Sequence, residues 1–246
     1  MEPLFRKEYT MEAIHVDRFG RAKPSVLLYL TQEAATLHSR LLGTDWDTLN
    51  KKHLFWAVIR HRLQVTRLPM EGETITVETW PMPTTRVAYP RSTVAYDQQG
   101  NELFRSIALW VLMDTDSRAM ILPGKSGVAV AGTIRGNELA APGSIVPKVL
   151  ENTLSRQVCY MDLDRNGHMN NTKYLDWICD LLPSEFHKDH PLRECTLCYL
   201  SEAREGQLLE LTWELPQPDT LQVDAHWEKT DVPAGQERVF AAQLLF

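Results

Sequence analysis

Apolar residues recur at helical spacing in two stretches and alternate with polar ones in most others. From 24 to 41, Leu27, Leu30, Ala34, Leu37 and Leu41 mark one helix face, with Pro24 suited to the opening turn and Gly43 to the stop. Further on, Tyr174, Trp177, Ile178, Leu181 and Leu182 repeat the pattern; Asn170 or Asn171 is available as N-cap, and Pro183 ends the run. Strand-like runs at 53–68, 73–80, 88–97 and 104–114 follow the first helix, and Asp97-Gln-Gln-Gly100-Asn101 reads as a hairpin turn.

The two helices are preceded by related segments. Asp17-Arg-Phe19-Gly-Arg21-Ala-Lys-Pro24 aligns without a gap with Asp164-Arg-Asn166-Gly-His168-Met-Asn-Asn171. Later, Gly72-Glu-Thr-Ile-Thr-Val-Glu-Thr-Trp80 parallels Gly206-Gln-Leu-Leu-Glu-Leu-Thr-Trp213, and each copy reaches an apolar late strand, at 107–113 and 239–246. The chain therefore reads as two related α+β units, each a buried helix followed by antiparallel strands. The expected division is residues 1–128, a linker at 129–150 rich in glycine and proline, and residues 151–246. The units are expected to pack as a pseudo-twofold pair with their sheets joined.

The polar chemistry is unequal between the copies. The run Asp162-Leu-Asp164-Arg-Asn166-Gly-His168-Met-Asn170-Asn171 places carboxylates, carboxamides and an imidazole directly before a helix. A helix start favours developing negative charge, because its first N–H groups are unpaired and the dipole is positive there. In the first copy Asn166 is replaced by Phe19, His168 by Arg21, and Glu202, four residues before the matched glycine, by Leu68. A turn serving structure alone would need similar chemistry in both. Asp164, Asn166, His168 and Glu202 are therefore the candidate catalytic set, expected to converge in one pocket, with the amides around Met169 and Asn170 as the candidate oxyanion site.

Composition narrows the class. A chain of 246 residues accommodates two units, and no apolar run approaches the about 18 residues of a membrane span. The start, Met1-Glu-Pro-Leu-Phe-Arg-Lys-Glu-Tyr-Thr, lacks the apolar core of a signal peptide and the arginine- and serine-rich character of a transit peptide, so a cytoplasmic, bacterial setting is expected. A net charge of −6 argues against nucleic acid as a partner. An acidic partner would need a local basic patch, for which Arg60, Arg62, Arg67, Lys51 and Lys52 are candidates. Cys195 and Cys198 have metal-knuckle spacing but lie in a strand-like run without a second ligand pair, so free thiols and no metal are expected. His187 and His190, in the polar stretch 183–191, read as exposed loop residues.

With these residues in view, the sequence resembles the acyl-acyl-carrier-protein thioesterases of plant plastids and their bacterial relatives over essentially its full length. That family carries Asp-x-Asn-x-His followed by Val-Asn-Asn in its second repeat and a glutamate on a later strand. Asp164, Asn166 and His168 match the first part, Met169 stands for the valine, Asn170 and Asn171 are retained, and Glu202 falls on the glutamate. The plant enzymes have a cysteine immediately after that glutamate; here it is Ala203, which argues against a cysteine nucleophile. The resemblance implies a tandem (double) hotdog fold and hydrolysis of fatty acyl-acyl-carrier-protein to free fatty acid by the second repeat. It also implies an acyl-chain pocket largely in the first repeat, where Phe55, Trp56, Trp80 and Trp110 are lining or core aromatics. No cofactor is required, and a homodimer is compatible with this reading. The alternatives are an acyl-coenzyme A or other small acyl-thioester hydrolase, and a non-catalytic acyl-binding protein.

Overall fold

The computed structural model describes residues 3–136, 138–227 and 237–246. The chain divides into two compact units, Met1–Pro142 and Gly143–Phe246. In the first, β1 (Phe5–Thr10) leads to α1 (Pro24–Leu41), the short α2 (Trp46–Asn50), and strands β2 (Leu54–Val65), β3 (Thr74–Pro81), β4 (Tyr89–Tyr96), β5 (Glu102–Asp114) and β6 (Met120–Ile121). In the second, β7 (Asn152–Gln157) leads to α3 (Asn171–Cys179), the short α4 (Ser184–Asp189), β8 (Glu194–Tyr199), β9 (Leu208–Gln217), β10 (Thr220–Trp227) and β11 (Arg238–Leu245). The strand orders are β1-β3-β4-β5-β2, with β6 beside β5, and β7-β9-β10-β11-β8. They match strand for strand, and all the pairings within each unit are antiparallel. Each unit is a hotdog: an antiparallel sheet holding one principal helix.

The helices show how pattern becomes packing. Helix α1 buries Leu27, Leu28, Leu30, Thr31, Ala34, Ala35 and His38, whereas Leu41 is exposed. The buried face continues from Ala34 to His38 rather than to Leu37 and Leu41. Each fully buried leucine contributes about 1.5–3 kcal/mol. Helix α3 is half as long as α1, nine residues against 18, and buries Tyr174, Leu175, Trp177 and Ile178. It ends at Cys179, before Leu181 and Leu182. There the chain tightens: Leu181 and Leu182 N–H donate to the carbonyls of Ile178 and Cys179, three residues back, and Pro183 ends the run.

Residues 131–136, expected in the linker, run along the first unit. Thr133 N–H donates to the Pro81 carbonyl, and the Arg135 guanidinium lies over the Trp80 ring. At Gly132 a Cβ would stand 2.3 Å from the backbone of Met82 and Pro83, so only glycine permits this approach.

The inner face of the first unit carries polar groups. Arg91 on β4 reaches His38 Nδ1 of α1 at 3.1 Å and Thr79 Oγ1 of β3 at 3.4 Å, and Thr93 Oγ1 donates to Thr79 Oγ1. His61 on β2 is buried, and burial pushes its pKa down from 6.5 to about 4. It is therefore neutral at pH 7. Below pH 6.5 the unfolded chain takes up a proton that the folded chain refuses, so stability falls until the pH reaches about 4. The loss is about 1.4 kcal/mol per pH unit, or about 3 kcal/mol across the window. Glu73, Asp97 and Asp114 are held below their usual values by hydrogen bonds from Arg67, Asn101 and Ser117, so their contributions are lost at lower pH. Urea unfolding of wild type and His61→Leu between pH 7 and 4.5 should show a steep decline in the first and a shallow one in the second. Parallel declines would mean that another group governs acid sensitivity.

Candidate active site

The two aligned segments fold into the same turn. Asp17 Oδ1 accepts from the N–H groups of Phe19 and Arg21 at 2.8 and 3.1 Å; Asp164 Oδ1 accepts from those of Asn166 and His168 at 2.7 and 3.5 Å. Asp17 N–H donates to Arg21 O at 2.7 Å, and Asp164 N–H to His168 O at 2.8 Å. Gly20 and Gly167 close the turns at φ of 73° and 74°, where glycine avoids the steric cost. Asp164 thus does in the second unit what Asp17 does in the first, which makes it the builder of the loop. Asn166, on the exposed turn, has its side-chain amide 3.5 Å from the Asp164 carboxylate.

The same equivalence extends to the later segment. Arg21 bridges to Met70 as His168 bridges to Arg204, so Leu68 and Glu202, each two residues earlier, occupy matching places. Leu68 is buried. Glu202 instead presents its carboxylate to the imidazole, with Oε2 at 3.2 Å from His168 Nε2; the two side chains are 34% and 14% exposed. The pair is therefore sheltered yet open to a small reactant. For Nε2 to donate, the neutral ring must carry its proton there, an assignment that follows from the geometry. The Arg204 guanidinium stands 4.0 Å from the same carboxylate oxygen. Ala203 is fully buried, and its carbonyl accepts from Met169 N–H.

That last bond corrects the expected oxyanion site. Met169 N–H donates to Ala203 O at 2.8 Å and Asn170 N–H to Asp162 O at 2.7 Å, so both are occupied. The cause is local pairing: the residues leading into α3 bridge to neighbouring segments before the helix begins. Asn170 instead acts as N-cap, its Oδ1 accepting from Thr172 N–H at 2.9 Å. Asn171 N–H, the first of the helix, donates to no described residue. Its counterpart in the first unit is Pro24, which has no N–H. The ungapped alignment of the two segments already contained this signal. Beneath the site, burial raises the Tyr174 hydroxyl pKa, and the charges of Asp164 and Glu202 raise it further, so this phenol stays protonated.

Other candidates play different parts. Arg67 holds Glu73 through two hydrogen bonds at 2.9 and 2.6 Å, and Arg60 donates to the Pro142 carbonyl, so this portion of the proposed basic patch is engaged within its own unit. His187 on α4 and His190 at its C-cap are half-buried rather than in an exposed loop; they contact the carbonyls of Cys179 and Phe186, each at 2.9 Å. Phe55 and Trp80 are buried, while Trp56 is partly buried and donates to Thr44 O. Cys195 and Cys198 are buried on β8, neither of them in a disulfide. Among the described residues no cluster suited to a metal occurs, and no helix is long and apolar enough to cross a membrane.

This doubled turn, armed in one unit only, occurs on a chain whose two parts match two family models. The acyl-ACP thioesterase N-terminal domain matches residues 2–122, and the acyl-ACP thioesterase C-terminal domain matches residues 148–242. The chain belongs to the acyl-ACP thioesterase family. A chloroplastic palmitoyl-acyl carrier protein thioesterase of Gossypium hirsutum is 27% identical over 84% of the chain and 54% of its own length. A chloroplastic oleoyl-acyl carrier protein thioesterase of Arabidopsis thaliana is 22% identical over 84% of the chain and 62% of its own length. The chain thus spans between half and two thirds of these curated relatives. Among solved structures, an acyl-ACP thioesterase from Bacteroides thetaiotaomicron has a TM-score of 0.88 at 22% identity, covering 99% of this chain and 98% of that one. A 12:0-ACP thioesterase from Umbellularia californica has a TM-score of 0.83 at 22% identity, with coverage of 100% and 97%. Both share the double hotdog fold.

Proposed function

We propose that the chain hydrolyses the thioester of fatty acyl-acyl carrier protein, giving the free fatty acid and the carrier thiol. The observation that carries this reading is the contact between His168 and Glu202 on a turn whose copy in the other unit has Arg21 and Leu68 instead. A thioester asks little of an acid catalyst, because its leaving thiol has a pKa of about 8.5. It needs an activated water and a polarised carbonyl. Glu202 takes the proton of a water whose oxygen adds to the carbonyl carbon. The oxygen that becomes negative is stabilised by Asn171 N–H and the start of α3. Collapse of the adduct breaks the C–S bond, and His168, bonded to the carboxylate, returns the proton to the sulfur. Asp164 holds the loop, and Asn166 on its tip positions the water. None of the four cysteines is in a disulfide, which suits a reducing, cytoplasmic setting.

A second reading is a coenzyme A thioester as substrate, which would use the same His168–Glu202 pair. Steady-state assays of matched acyl chains on carrier protein and on coenzyme A, followed by release of free thiol, separate the two. We expect the higher kcat/KM with the carrier protein; the reverse order would support the coenzyme A reading, and release from neither would remove the hydrolase reading.

A further inference from the structure

Two neighbouring polar atoms on the inner face of the first unit are buried without a hydrogen bond. His61 Nε2 and Trp110 Nε1 find no hydrogen-bond partner among the described residues. They belong to adjacent strands and one face: His61 on β2 pairs with Ala108 on β5, and Trp110 lies two residues further along β5. Across β5, Ala108 pairs in turn with Arg91 on β4. The row His61–Ala108–Arg91 therefore has polar groups on both flanks and a single methyl between them, over roughly 10 Å at ordinary strand spacing. Val58, Leu63 and Leu112, on the same face of β2 and β5, make the surroundings aliphatic. A buried donor or acceptor without a partner is costly, so an imidazole here suits a ligand that supplies the missing bond.

We propose that this face of the first unit binds an aliphatic chain bearing an oxygen function, a hydroxyl or an oxo group, which hydrogen-bonds His61 or Trp110. Combined with the thioesterase reading, the ligand is the acyl group of the substrate, and the enzyme favours oxygenated chains over saturated ones. Neutral imidazole offers one donor and one acceptor, and indole offers a donor. A hydroxyl group satisfies either residue, whereas an oxo group needs a donor. The wider row has one fixed cation, because Arg91, with its pKa lowered by burial to about 10, keeps its proton at neutral pH.

Two measurements test this on the full chain. The first is the ratio of kcat/KM for hydroxy- or oxo-acyl thioesters to that for saturated thioesters of equal length, with the oxygen moved along the chain. We expect wild type to prefer an oxygen at one region of the chain, His61→Leu to lower the ratio roughly tenfold, and His61→Gln, which keeps a donor and an acceptor, to retain part of it. The second is the rise in Tm produced by free hydroxy, oxo and saturated fatty acids, which needs no turnover. The oxygenated acids should give the larger rise in wild type and lose that advantage in His61→Leu. Equal ratios in wild type and His61→Leu, with equal thermal shifts for all acids, would overturn the subsite while leaving the hydrolase reading intact. If no thioester is cleaved, the hydrolase reading fails and the thermal shifts alone decide the subsite.

Discussion

Replacing Glu202 with glutamine is expected to lower kcat by about 10²–10⁴-fold, the range for a positioned acid–base group. The substitution preserves size and leaves an amide oxygen within reach of His168 Nε2, now 3.2 Å from the carboxylate. What disappears is the capacity to take a proton from water. Because the carboxylate is one third exposed, its loss should shift Tm little. Single-turnover experiments with a pre-bound acyl thioester isolate the chemical step from product release. A normal single-turnover rate in Glu202→Gln would exclude the carboxylate both as base and as nucleophile.

Asn171→Pro is expected to lower kcat by about 10²–10³-fold, as the loss of one oxyanion donor does elsewhere. Proline at the first helical position removes an N–H that makes no intrahelical bond and has a fitting φ, so the helix survives. The first unit supplies the precedent. Lys23, before Pro24, has φ −60° and ψ 141°, and Asn170, before Asn171, has φ −63° and ψ 137°. Both lie in the extended region that a following proline demands. The Asn171 carbonyl, which accepts from the Tyr199 hydroxyl at 3.1 Å, is kept. Asn171→Ala retains the N–H and loses only the carboxamide, so it separates backbone from side chain. Equal activity in both variants would show that oxyanion stabilisation comes from elsewhere.

Much of this was legible in the chain because it rests on local rules. Helix periodicity, Pro24, the N-cap at Asn170 and the aspartate–glycine turns depend on residues a few positions apart. Comparing the repeats also carried information across distance: Glu202 and Leu68 were matched by their spacing to Gly206 and Gly72, and the bridges of His168 and Arg21 place them alike. The N–H groups of Met169 and Asn170 are engaged elsewhere because the fate of an N–H is a tertiary fact. Met169 lost its N–H to Ala203, a carbonyl 34 positions away. Arg67, a candidate for the basic patch, is held by Glu73 six residues on. His61, His38 and Arg91 are polar, and hydropathy alone places such residues toward water. Yet His61 alternates with Leu63 and Val65, and that period alone puts it on the buried face.

The paired turns of Asp17 and Asp164 have a consequence for how such a protein diverges after duplication. Each loop is held by backbone groups, one carboxylate and one glycine, and none of these is a side chain of the proposed catalytic pair. Side chains at 166, 168 and 202 can therefore be exchanged while the loop persists, as Phe19, Arg21 and Leu68 illustrate at the sister positions. Selection for folding and selection for reaction act on separate residues here. One copy can be released from chemistry, free to specialise in holding a ligand, without forfeiting the frame that it shares with its twin.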